Sequence, residues 1–179
     1  MKKLTFIILS FMMLLGCSMN NSATKKTEEY LTKYQALSDE VLEDLEFNSE
    51  KESIGSNNVL TYQDVFKKQY QNLQYVIQNE QIEGDEAIVT VKITVYDFYK
   101  VKKEAEEFYK NNPEEVEENG IYKEESFIKY QLDKMMNTTY RVDYTIDFYL
   151  EKINDEWKVK ELSDISKEKI HGLYNYESE

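Results

Sequence analysis

Apolar side chains recur along this chain with two different periods, and each period predicts a different kind of element. From Thr27 the apolar positions Tyr30, Tyr34, Leu37, Val41 and Leu45, with Leu31 and Leu42 beside them, fall three and four residues apart. That spacing lays one stripe along a helix and predicts it over 27–46. Asn48 to Asn58, polar and holding Gly55-Ser56-Asn57-Asn58, reads as a loop. Thr61-Tyr62-Gln63-Asp64 has the form of a helix start, with Thr61 as cap and Asp64 near the positive N-terminal end. Tyr62, Val65, Phe66, Leu73, Val76 and Ile77 then predict a second helix over 61–78.

After the turn Glu83-Gly84-Asp85-Glu86 the period becomes two. Ala87, Val89, Val91, Ile93 and Val95 point one way, and Thr90, Lys92 and Thr94 the other, which is the pattern of a half-buried strand. The acidic stretch 101–120 predicts a short helix through Ala105, Phe108 and Tyr109. A second helix start is predicted at Asn112-Pro113, because proline is tolerated at the first helical position, and Gly120 closes that turn. Phe127, Ile128, Gln131 and Met135, with Leu132 adjacent, predict a helix over 124–136.

The clearest alternation comes next. Tyr140, Val142, Tyr144, Ile146, Phe148 and Leu150 interleave with Arg141, Asp143, Thr145, Asp147, Tyr149 and Glu151. Asn154-Asp155 supplies a hairpin turn, and Trp157 and Val159 alternate back to Leu162. A last short helix is expected over 164–170, before a polar end. Helices first, then strands with a helical insert and a closing hairpin, give an α+β fold with helices packed on one face of an antiparallel sheet.

The helix pair, then "EGDEAIVTVKITVYD", then "YTIDFYLEKINDEWKVKEL", is similar to small lipoproteins of the NTF2-like, cystatin-like superfamily. That resemblance implies helices lying across a strongly curved antiparallel sheet. It covers most of residues 27–165, and the insert at 101–125 departs from the smallest members.

The first sixteen residues differ from everything that follows. Met1-Lys2-Lys3 is positive, Leu4 to Leu15 is nearly all apolar, and Gly16 precedes the single cysteine, Cys17. This is the pattern of a secretory signal peptide, and the run is well short of the roughly 20 apolar residues a membrane span needs. Leu14-Leu15-Gly16-Cys17 resembles the lipobox of bacterial lipoproteins, which implies cleavage before Cys17 and a diacylglyceryl group on its thiol. Two acyl chains anchor stably at about 0.8 kcal/mol per buried methylene, where one does not. The expected organisation is therefore a signal peptide at 1–16, a lipidated cysteine and polar tether at 17–26, and one domain at 27–179. With one proline in the chain and few glycines, no long linker divides that domain. The expected location is the outer face of the cell membrane. Lysine outnumbers arginine heavily, Arg141 being the sole one, a bias that resembles low-GC Gram-positive sources.

Charge narrows the partners. The chain has 22 basic and 35 acidic side chains, net −13; loss of Lys2 and Lys3 with the leader leaves 20 against 35, net −15. Such a surface is repelled by phosphate backbones, so nucleic acid is not an expected partner. The membrane is reached through the lipid on Cys17.

Catalytic constellations are sparse. His171 is the one histidine and lies near the polar C-terminus, a poor place for a preorganised triad. Zinc sites want several His or Cys ligands, and neither a metal nor a cofactor is expected. Glu114-Glu115-Val116-Glu117-Glu118 reads as a solvated helix face. Asp97 continues the apolar phase of Val89, Val91, Ile93 and Val95. The resemblance makes it a candidate pocket acid, since acids in the apolar cone of NTF2-like isomerases and dehydratases transfer protons. The plainer expectation puts it at the strand end, in water. Tyr96, Phe98 and Tyr149 fall on the outward face and form a candidate interaction surface. The expected function is a non-enzymatic module binding an envelope protein, a peptide or a small apolar ligand. The alternative is a carboxylate-dependent isomerase, dehydratase or hydrolase with a pocket in the sheet.

Overall fold

The computed structural model describes residues 21–49, 60–115, 117–118 and 121–177. The leader, Cys17, Gly120 and all of the loop expected over 48–58 except Asn48 and Ser49, which are helical, lie outside the described residues. Among those described, six α-helices accompany a curved four-stranded antiparallel sheet, so the fold is α+β.

The N-terminal helix begins earlier than its apolar stripe. Helix α1 spans Ala23–Ala36, and the Ser22 hydroxyl caps it by accepting from Lys25 N at 3.1 Å. Residues 23–26, expected as tether, are its first turn, because Ala23 is fully buried and Glu80 accepts from Thr24 N at 2.7 Å. The single helix expected over 27–46 is two. Leu37 turns left-handed (φ 52°), its N–H returning to Lys33 O and Tyr34 O, and helix α2 starts afresh at Asp39–Ser49. The apolar spacing runs through this break, so periodicity could not reveal it.

Helix α3, Tyr62–Gln71, opens with the expected capping box: Thr61 and Asp64 exchange side-chain and backbone bonds of 3.2 and 3.0 Å. It stops seven residues before the expected end. Gln74–Glu83 is strand β1, paired antiparallel with β2, Glu86–Tyr96. Val76, expected in a buried helical face, is instead an exposed residue of this strand. The register shifts between Ile77 and Asn79, and that bulge turns Glu80 to the helix side, where it meets α1.

Helix α4, Phe98–Asn111, is longer than expected, while Pro113–Glu115 makes only a single 3₁₀ turn. Two short strands, β3 (Glu117–Glu118) and β4 (Ile121–Tyr122), pair before helix α5, Glu124–Asn137. Strand β5, Arg141–Ile153, turns at Asn154 and Asp155, both with positive φ (51° and 65°), into β6, Glu156–Val159. Helix α6, Asp164–His171, is the last element, and residues 172–177 follow it.

The sheet order is β1-β2-β5-β6. Its inner face carries Val89, Val91, Ile93, Val95, Tyr144, Ile146, Phe148, Leu150 and Trp157, all buried as the alternation requires. Helices α1, α3 and α6 cover this face, Tyr30 meeting Phe148 edge-on at 5.9 Å. A second apolar cluster, Val65, Phe98, Val101, Leu132 and Met135, joins α3, α4 and α5 beside one end of the sheet. That end is where the outer face acquires its unusual side chains.

Candidate functional site

The outer face of the sheet is a ladder of polar pairs between two aromatic ends. Thr90 donates to Asp147 at 2.7 Å, Thr94 to Asp143 at 2.6 Å, and Lys92 pairs with Asp143 at 2.7 Å. The Lys92 and Thr94 hydrogen bonds hold the Asp143 carboxyl below the usual carboxylate range. Beyond this ladder Tyr96 sits opposite Arg141 at one end, and Ile88 opposite Tyr149 at the other. Eight residues of strand separate Arg141 from Tyr149, about 26 Å. Tyr96 and Tyr149 therefore do not form one patch.

The end at Tyr96 is built by a buried glutamine. Gln69, fully buried on α3, accepts from Tyr96 N at 2.7 Å and donates from Nε2 to Tyr96 O and His171 O, both at 2.9 Å. Gly172, with φ 72°, passes so close that a Cβ there would fall on the Tyr96 carbonyl and the Gln69 amide. Tyr99 N then donates to Gly172 O at 2.7 Å. This clasp fixes the last residue of β2, the first turn of α4 and the end of α6 together.

Held in that way, the Tyr96 ring is approached by two cations. Arg141 Cζ lies 3.8 Å and Lys68 Nζ 4.2 Å from its centroid. Arg141 donates to Asn72 O at 2.9 Å, and Lys68 to Met136 O and Thr138 O. Burial, and then the Arg141 charge, push the Lys68 amine below its ordinary value. Next to them Lys100 stands 3.9 Å over the exposed ring of Tyr140.

The other end presents Tyr149, 54% exposed. A cleft of about 430 Å³ beside it is lined also by Ile82, Ala87, Ile88 and Leu150 and rimmed by the Glu86–Lys160 ion pair at 3.0 Å.

Phe98, expected on the exposed surface, is wholly buried. The strand ends at Tyr96, and Phe98 is the first helical residue of α4, directed into the second apolar cluster with its ring 6.1 Å from that of Tyr96. Asp97 is at the strand end but not in water: it is 6% exposed. Its Oδ1 caps α4 by accepting from Lys100 N at 3.0 Å, and its Oδ2 accepts from the Tyr176 hydroxyl at 3.0 Å. Burial, and next the bond to Asp97, raise the Tyr176 phenol to about 12, so it stays a donor. Its partners are polar, in contrast to an acid stranded among apolar side chains.

His171 is not in a polar tail. It ends α6 with its ring 4.9 Å from Phe66 and 5.8 Å from Tyr70, and burial lowers its pKa to about 4, with the Lys167 charge as the lesser cause. Among the described residues no group of three His, Cys, Asp or Glu side chains is placed to hold a metal ion, and no helix is long and apolar enough to cross a membrane. Compared with family models, with curated proteins and with solved structures, the chain finds no match in any of the three.

Proposed function

We propose that this chain is a bacterial lipoprotein, held on the outer face of the cell membrane by lipid on Cys17, whose domain is a binding module of NTF2-like, cystatin-like type. The observation that carries this reading is the Leu14-Leu15-Gly16-Cys17 sequence after a positive start and a short apolar run, and the position of Asn21 supplies the orientation. Asn21 Nδ2 donates to Asp155 O at 2.6 Å, at the β5–β6 turn, and α1 starts two residues later. Cys17 is four residues from Asn21, at most about 14 Å of extended chain. A lipid there holds the hairpin end of the sheet at the headgroups and turns the Tyr96 end outward, about 40 Å away along β5. The NTF2-like assignment draws on helices lying across one face of a curved antiparallel sheet.

Binding is favoured over catalysis by how the two best catalytic candidates are employed. Both Asp97 oxygens receive hydrogen bonds that stabilise the fold, and His171 is packed between aromatic rings. The Tyr149 cleft suits an apolar side chain of an envelope protein or peptide, or a small apolar ligand. The burial of Asp97 keeps a carboxylate-dependent enzyme as the second reading.

Capture of envelope components on the full chain separates the two. We expect Tyr149→Glu to lose the captured partner, by about tenfold in affinity, and folded Asp97→Asn to retain both partner and cellular function. Loss of function in folded Asp97→Asn, with Tyr149→Glu silent, would put the enzyme first.

A further inference from the structure

We propose that Lys68 and Arg141, arranged on the Tyr96 ring, form a binding site for a phosphate group at the end of the sheet opposite the anchor. In a chain with so large an excess of acid, two cations converging on one ring is an uncommon arrangement. Among the described residues neither makes an ion pair. Asp143, two positions along β5, is occupied by Lys92 and Thr94, and Glu104 stands by Lys100 at 3.9 Å. The two charges repel each other, and that repulsion is part of what depresses the Lys68 amine.

The donors are also set in place beforehand. The Arg141 guanidinium is pinned by stacking on Tyr96 and by one bond to Asn72 O, which uses one of its five N–H groups. The Lys68 amine is pinned by two backbone carbonyls, leaving its third hydrogen. Both cations stand within 4.2 Å of one ring centroid, so they are at most about 8 Å apart. An oxyanion in reach of both accepts from the planar fork and from the ammonium without ordering either side chain, which removes the main cost of binding on long cations. Two positive charges match a phosphate carrying −1.5 to −2 better than a single carboxylate. Tyr96 itself is fixed by the Gln69 clasp, so the platform does not yield when the anion arrives.

The phosphate can come from a soluble ester or from a lipid headgroup. The anchor proposed above points this end away from the bilayer, so the soluble source is the one inferred, and that choice alone rests on the anchor. The geometry of the site does not.

The test uses the full chain in detergent, titrated with inorganic phosphate, glycerol phosphate and acetate while the Arg141 Nε and Lys68 Nζ resonances are followed. Saturable shifts with both phosphates are expected, together with a rise in the Lys68 pKa and binding by acetate at least tenfold weaker. Arg141→Gln and Lys68→Gln should each weaken phosphate about tenfold, Arg141→Lys less, and Lys26→Gln, whose lysine pairs with Glu29 at the far end of the sheet, not at all. Absence of a saturable shift, equal binding of acetate, or equal weakening by Lys26→Gln overturns the site. Binding to phosphatidylglycerol vesicles without binding to either soluble phosphate overturns the soluble source. Phosphate binding that persists in Cys17→Ser separates the site from the anchor, whatever becomes of the latter.

Discussion

Gly172→Ala is expected to cost about 3 kcal/mol or more and to lower the melting temperature by about 10 °C, a change that thermal and urea denaturation will both read. Two effects add. A φ of 72° is left-handed, which charges alanine about 1 kcal/mol relative to glycine. The new Cβ also lands on Tyr96 O and the Gln69 amide, so the clasp must open. Opening it strands buried polar groups at Tyr96 and His171, at about 1–3 kcal/mol for each group left unpaired. Gly84→Ala is the matched control. Gly84 has φ 61° but nothing within 4 Å of its would-be Cβ, so only the conformational cost applies. Equal losses at the two glycines would show that the clasp does not hold these elements together.

His171 should make the domain acid-sensitive. Its ring is neutral in the folded protein down to about 4, whereas an unfolded histidine takes a proton near 6.5. Between those values the unfolded state binds the extra proton, so stability is complete above about pH 6.5 and falls as pH drops toward 4. The fall from this group levels out near 3 kcal/mol, at about 1.4 kcal/mol per pH unit. His171→Phe keeps a ring against Phe66 and Tyr70 and removes the titration. Its stability should therefore decline less than the wild type's from pH 7 to pH 4. Parallel pH profiles for the two proteins would mean that His171 is not held neutral by burial.

Elements with strong alternation were legible. Strands β2 and β5 follow from side chains that divide cleanly between core and solvent, and the β5–β6 turn follows from an Asn-Asp pair that tolerates positive φ. Strand β1 was not legible. It lies at the sheet edge, is mostly exposed, and owes its place to hydrogen bonds with β2, while Leu73, Val76 and Ile77 happen to keep helical spacing with α3. The break at Leu37 was hidden for the same reason, since the apolar stripe continues across it.

The site divides similarly. Tyr149 is exposed, as strand phase predicted, but Phe98 is not, because the strand phase ends at Tyr96. Asp97 was placed at the right position and in the wrong surroundings: capping a helix and meeting Tyr176 are contacts across the fold that alternation does not encode. The Lys68–Tyr96–Arg141 arrangement spans three elements. Its one sequence trace is that Arg141 is the only arginine. Gln69 left a trace too, as an amide among the buried positions Val65 and Tyr70 of α3.

The anchor is the claim on which orientation, location and partner class all depend. It is tested most directly by metabolic labelling with a clickable fatty acid, followed by membrane fractionation, of the wild type and Cys17→Ala. The wild type should carry the label and sediment with membranes, and Cys17→Ala should carry none and leave the membrane fraction. Unchanged labelling and membrane retention in Cys17→Ala would contradict the account.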